Sequence, residues 1–285
     1  MTAWVVSVAA GLIQGVVEWL PVSSKTMITF VFAAGGYSFG TGYVMGLLAN
    51  FGSFFAALWY FRTDIIEAIR GLRHPLSGER DAQTLRYLFL ATLATGAIGL
   101  PIYLGVTTAF TVTSGAYIMV GIGVLLLVTS WISVQRERLV REVASAGPSS
   151  DDPAKGPIPG SWAALIVGAC QGLAALPGIS RSAVTVTPLL WTGQRPSRAL
   201  RLSFLLDVLA LIAAGAVPLV IGHHGLAAVA RVGTAPTLLM IVVSAIASFF
   251  TIDVILRFAS RLRASVITAL IGGLTIVAAI VLHIH

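Results

Sequence analysis

The sequence predicts an all-α membrane protein: six transmembrane helices plus two re-entrant helix hairpins, arranged as an inverted-topology repeat. Three observations lead there. The 285 residues are 57% hydrophobic and 10% charged, with mean hydropathy +0.93, whereas soluble domains carry roughly 25% charged residues. Six apolar stretches reach the length of about 20 residues that a bilayer crossing takes. Finally, two short motifs repeat each other at long range, and each sets a single cation inside an apolar region.

Taken in order, residues 2–36 are apolar but interrupted by Pro21-Val22-Ser23-Ser24-Lys25-Thr26. The flanking pieces are too short to span, so this region reads as a helix–break–helix hairpin. Broken backbone at membrane depth is tolerated only where it lines a cavity or is buried in protein. Crossings follow near 40–61, 86–105 and 113–134, completing a first repeat over 1–135. Residues 136–160 form a linker, polar and rich in Pro and Gly toward its end, and read as cytosolic. A second hairpin, 161–193, is broken at Pro177-Gly178-Ile179-Ser180-Arg181-Ser182. Crossings near 199–221, 236–256 and 264–283 complete the second repeat, 161–285. Residues 1–20 lack a basic start and contain Glu18, which is unlike a secretory signal.

A re-entrant hairpin returns to the side it entered, so each half makes three crossings and the second half is inverted. Fifteen of the 18 basic residues then share one side: Arg62, Arg70, Arg73, Arg80, Arg86, Arg136, Arg138, Arg141, Lys155, Arg195, Arg198, Arg201, Arg257, Arg261 and Arg263. Only Arg231 falls on the other side. The bias makes the Arg-rich side cytoplasmic and puts both termini outside, as expected for the plasma membrane. It also accounts for the net charge of +7 without nucleic acid. The two remaining basic residues, Lys25 and Arg181, sit one in each break.

The motifs run Gly11-x-x-Gln14-Gly15 to Ser24-Lys25-Thr26, and Gly168-x-x-Gln171-Gly172 to Ser180-Arg181-Ser182. Their Gly-x-x-Gln-Gly parts are offset by 157 residues and their Pro and hydroxyl–cation–hydroxyl parts by 156. A cation between hydroxyls on a broken helix suits an anion, and the half-helix starts add free backbone N–H groups. Ionisable residues at membrane depth are functional candidates by default: here Glu18, Lys25, Arg181, Asp207 and Asp253. One reading makes Lys25 a snorkelling side chain with Glu18 its counter-ion. The sharper reading uses Arg181 as a planar fork on phosphate oxygens, with Glu18 as general base or metal ligand. Ser23, Ser24, Lys25, Thr26, Ser180, Ser182, Gln14 and Gln171 are the expected phosphate-binding groups, and Ser24 a candidate nucleophile. Asp207 is a possible second carboxylate or a structural partner of Arg181. Asp253 reads as a surface pair with Arg257, four residues on. Cys170 reads as an apolar filler. His74, His223, His224, His283 and His285 lie away from the motifs.

The stretches Gln14-Gly-Val-Val-Glu18-Trp-Leu-Pro-Val-Ser-Ser24, Pro177-Gly-Ile-Ser-Arg-Ser182 and Ser203-Phe-Leu-Leu206 resemble the undecaprenyl-diphosphate phosphatase family (BacA/UppP type). The resemblance covers nearly the whole chain. It implies hydrolysis of undecaprenyl diphosphate, or a related polyprenyl or dolichyl diphosphate, to the monophosphate and inorganic phosphate, for carrier-lipid recycling. It further implies an inverted repeat with two re-entrant hairpins, a site open to the outer face, a divalent cation (Mg2+ or Ca2+) held in part by Glu18, and a homodimer. Carried onto this sequence, the second acid of the family's acid pair is Glu18. The family's Ser pair is Ser23 and Ser24, and its Ser-Arg-Ser is Ser180, Arg181 and Ser182. The first acid is replaced by Gln14 and the family's His by Met27, with Lys25 and Thr26 where small residues are usual. Those departures keep open a second function, a lipid-phosphate transporter or flippase using the same anion site.

Overall fold

The computed structural model describes residues 2–145, 156–222, 224–258 and 264–284, and among these every regular element is helical. The first half contains α1 (Ala3–Val17), α2 (Ser24–Ala34), α3 (Phe39–Tyr60), α4 (Arg62–Arg70), a short 3-10 turn (Gly71–Arg73), α5 (Arg80–Val112) and α6 (Gly115–Ser145). The second contains α7 (Ser161–Leu173), α8 (Arg181–Trp191), α9 (Pro196–Val220), α10 (His224–Val232), α11 (Thr234–Phe258) and α12 (Ala264–Ile284). Lys155, Arg261, Arg263, His223 and His285 lie outside the described residues, as do the side chains of Arg257 and His283.

Both expected hairpins are present. α1 has 15 residues and α2 has 11, rising about 22 and 16 Å, each short of the roughly 30 Å hydrocarbon layer. α1 stops just before Pro21, which lacks an amide donor and disfavours helix in the residue ahead of it. In the second hairpin the break runs through Pro177-Gly178, where Gly178 has φ +100°, a conformation L side chains rarely adopt.

α3, α5, α6, α9 and α11 are long and apolar enough to cross a membrane. The sixth expected crossing is α12, a helix of 21 residues. α5 and α6, with 33 and 31 residues, overrun their apolar stretches, because a helix keeps its backbone bonds satisfied on leaving the bilayer. α6 runs on through residues 136–145, which the sequence reading gave to the linker; Arg136-Glu137-Arg138-Leu139-Val140-Arg141-Glu142 contains good helix formers. α4 and α10, of nine residues each, were not anticipated, being too short to register as crossings.

Packing explains the glycines of the repeated motif. α1 lies along α11 and α7 along α5, while α3 packs on α9 and α6 on α12. Exchanging the two halves maps these pairings onto one another. Gly11 and Gly15 face Met240, Val243, Ala247 and Ser248 of α11 so closely that a Cβ would clash, and Gly168 and Gly172 press likewise on Ala91 and Ile98 of α5. These are small-xxx-small contacts, which let helix backbones approach in lipid. The glycines therefore dock each hairpin's first helix, and Gln14 and Gln171 are left to serve the centre.

Candidate active site

The two breaks meet. Thr26 Oγ1 accepts the backbone N–H of Gly178 at 2.7 Å and donates to Ser23 Oγ at 2.9 Å. Lys25 Nζ donates to the carbonyl of Ile179 at 3.3 Å, and Ser182 Oγ to that of Leu20 at 3.1 Å. Thr129 on α6 braces the second break, donating to the Gly178 carbonyl at 2.7 Å and accepting from the Ser180 N–H at 3.3 Å. Gly46 of α3 lies against the backbone of Lys25, where a side chain would be crowded. Both half-helix starts, Ser24 of α2 and Arg181 of α8, thus point their N-terminal dipoles at one place.

Glu18 is the hub. Its Oε2 accepts from Ser24 Oγ at 2.5 Å and from Gln14 Nε2 at 2.7 Å. Its Oε1 is ion-paired with Arg181 Nη2. Asn50 Oδ1 receives Gln14 Nε2 at 3.0 Å and Arg181 Nη2 at 3.4 Å. On the far side of the guanidinium, Arg181 Nε stands 4.0 Å from Asp207 Oδ1. Glu18 and Lys25 are only 6% and 8% exposed and Asp207 is fully buried. Asn50 lies midway along α3, so the cluster sits near mid-depth of the bundle.

A cavity of about 200 Å3 opens from this hub. Glu18, Ser23, Ser24, Lys25, Ser180 and Arg181 line its polar end, with Gln171 beside them. Arg181 Nη1, Gln14 Oε1 and both amide atoms of Gln171 have no hydrogen-bond partner among the described residues. The rest of the lining is mostly apolar and runs along α3, α5 and α9 toward Tyr43, Tyr103 and Val217, the end of the bundle remote from the arginine-rich face. Gly96 and Leu100 of α5 and Leu209 and Ala213 of α9 line it while also being exposed on the outside of the bundle. The cavity therefore opens sideways between α5 and α9.

Of the residues singled out in the sequence, Gln14, Thr26, Ser182 and Asp207 do not line the cavity. Thr26 and Ser182 tie the two breaks together, Gln14 orients Glu18, and Asp207 backs Arg181, each because its hydrogen-bonding atoms are turned into protein. Asp253 accepts from Tyr60 at 3.2 Å; its expected pairing with Arg257 lies outside the described side chains. Cys170 packs against an apolar cluster of Ala174, Ile179 and Val184. Asn50 was missed. The signal was available: Asn50 and Asp207 are 157 residues apart, the offset of the repeat, and they flank the same guanidinium.

The donors present do not suit a divalent cation. Mg2+ demands six and Ca2+ six to eight oxygen ligands, carboxylates prominent among them. Among the described residues no three His, Cys, Asp or Glu side chains converge. The cavity offers one carboxylate, already engaged at both oxygens, beside two cationic side chains.

The sequence model described as "Bacitracin resistance protein BacA" matches residues 7–280. The chain belongs to this family. Proteins named undecaprenyl-diphosphatase are similar to it over nearly their whole lengths. That of Saccharolobus solfataricus is 32% identical over 96% of this chain and 95% of its own. The Haloarcula marismortui protein is 33% identical over 97% of both chains, and the Pyrobaculum aerophilum protein 34% over 95% of both. The five long apolar helices make this chain a multi-pass membrane protein.

Proposed function

We propose that this protein is an integral membrane polyprenyl-diphosphate phosphatase, hydrolysing undecaprenyl or a related polyprenyl or dolichyl diphosphate to the monophosphate and inorganic phosphate. One observation carries the reading: a Ser24–Glu18 pair from one break and Arg181 from the other share a buried cavity whose apolar arm opens into the bilayer. A soluble phosphate ester needs no such arm, whereas a prenyl tail, far larger than the cavity, must stay in lipid while its headgroup reacts.

Arg181 grips the terminal phosphoryl oxygens through Nη1 and the N–H groups that turn from Glu18 as the anion enters. Lys25 and the starts of α2 and α8 stabilise the charge that builds on the phosphoryl group and the bridging oxygen. Ser24 Oγ attacks the terminal phosphorus and passes its proton to Glu18, an arrangement of nucleophile and adjacent base. The bond to the bridging oxygen breaks, and its electron pair leaves with the polyprenyl monophosphate, which takes up the proton from Glu18. Water then attacks the phosphorus on Ser24; Glu18 accepts the water's proton and returns one to Ser24 Oγ, releasing phosphate. A monophosphate is a good leaving group, so Met27 in place of a histidine is no obstacle. Asp207 holds the far edge of Arg181.

The arginine-rich face reads as cytoplasmic under the positive-inside rule, which supports a cavity mouth and site opening on the outer face of the plasma membrane. The family resemblance also implies a homodimer. Detergent-purified protein given a polyprenyl diphosphate should release phosphate. Tight binding of the lipid with release no faster than in Glu18→Gln would overturn the assignment and favour a lipid-phosphate transporter.

A further inference from the structure

We infer that Lys25 takes the place of a divalent cation in this site, so that the diphosphate headgroup is bound and cleaved without a metal ion. The inference rests on the diphosphate reading above and concerns how that headgroup's charge is met. Three features of the site converge on it.

The first is the position of Lys25. It is the second residue of α2, buried, lines the polar end of the cavity and is anchored by Nζ to the Ile179 carbonyl of the opposite break. An ammonium there is a fixed positive charge facing the same space as Arg181. It carries three donors and needs no ligand set. The second feature is Gln14. A carboxylate at that position would sit against Glu18, and two carboxylates so close are tolerated only with a shared proton or a cation between them. An amide removes that demand, because Gln14 Nε2 donates to Glu18 Oε2. The third is the charge balance. Glu18 and Asp207 both stand against Arg181, and Asp207 lies behind the guanidinium and outside the cavity lining. A doubly charged ion would enter beside two cations with a single carboxylate to hold it.

Gln14 and Lys25 thus complement each other: an amide at 14 asks for no cation beside Glu18, and the ammonium at 25 builds a positive charge into the same cavity. Met27 has no place in the lining and takes no part in it.

Two readouts test this, neither depending on turnover. Purified wild-type protein treated with EDTA should bind methylenediphosphonate, measured by calorimetry, as tightly as it does with Mg2+ present. Titration with Mn2+ followed by electron paramagnetic resonance should show no ion whose binding is abolished by Glu18→Gln. The double variant Gln14→Glu/Lys25→Ser should reverse both results, taking up about one Mn2+ per chain and needing it to bind the diphosphonate. The inference is overturned if wild type holds a Glu18-dependent Mn2+, or if its diphosphonate binding is lost in EDTA and restored by Mg2+ or Ca2+. It is equally overturned if Lys25→Met binds the diphosphonate in EDTA as wild type does. Hydrolysis assayed alongside separates the two claims: release that requires Mg2+ sinks the inference and spares the phosphatase. Absence of release in either condition sinks the phosphatase, while the Mn2+ and diphosphonate results still decide the inference.

Discussion

Gln14 and Gln171 occupy matching positions 157 residues apart, on the first helices of the two hairpins, and their surroundings differ sharply. Gln14 Nε2 donates to Glu18, Asn50 and Ser53, while neither amide atom of Gln171 has a partner among the described residues. The acid explains the difference. At the offset of 157, the counterpart of Glu18 is Ala175, so only the first hairpin has a carboxylate to orient. The second hairpin instead contributes Arg181, which reaches across to that same carboxylate. In the mechanism proposed above the first break is the reacting side, already knitted together. The second is the receiving side, with donors still to be used. A repeat that is nearly symmetric in its helix packing is asymmetric in its chemistry, as hydrolysis of one end of a diphosphate requires.

That contrast can be broken at several points. The largest effect should come from the reacting side: Glu18→Gln or Ser24→Ala should slow phosphate release about 10²–10⁴-fold while diphosphonate binding changes far less. Next comes the guanidinium. Arg181→Ala should cost about 10²–10³-fold, and Arg181→Lys should stay at least about tenfold down because the fork is lost although the charge is kept. A smaller difference should appear between the two glutamines in detergent melting curves. Gln14→Leu leaves the acceptors of Glu18 and Asn50 short of a donor and should cost about 1–3 kcal/mol. Gln171→Leu removes no bond and should leave the melt unchanged while raising KM for the diphosphate a few-fold. The smallest effect concerns the tail: Ala213→Trp, at the seam of α5 and α9, should raise KM for a long polyprenyl diphosphate and spare one of two or three isoprene units.

The fold was legible because hydropathy and charge bias are strong signals in lipid. The breaks announced themselves through Pro21 and through Pro177-Gly178, and the division of cations left Lys25 and Arg181 as the two that no loop could claim. The Glu18, Ser24 and Arg181 cluster followed from the motifs. Asn50 did not, since an amide in the middle of an apolar helix has no local pattern; only the repeat offset pairs it with Asp207. Nor could spacing tell which hydroxyls face the cavity. Ser24 and Ser180 do, whereas Thr26 and Ser182 fasten one break to the other, and that depends on how the two loops dock in three dimensions. The glycines of the motif carried no reading of their own in the sequence; they serve helix packing against α11 and α5.

The central claim is that the two breaks close on one headgroup, and a double-mutant cycle on methylenediphosphonate binding tests it most directly. Lys25→Met, Arg181→Met and the double variant should show a coupling of at least about 1 kcal/mol, because each cation contacts the same anion. Losses that add to within about 0.5 kcal/mol would mean that the two side chains serve separate sites, and would contradict the account.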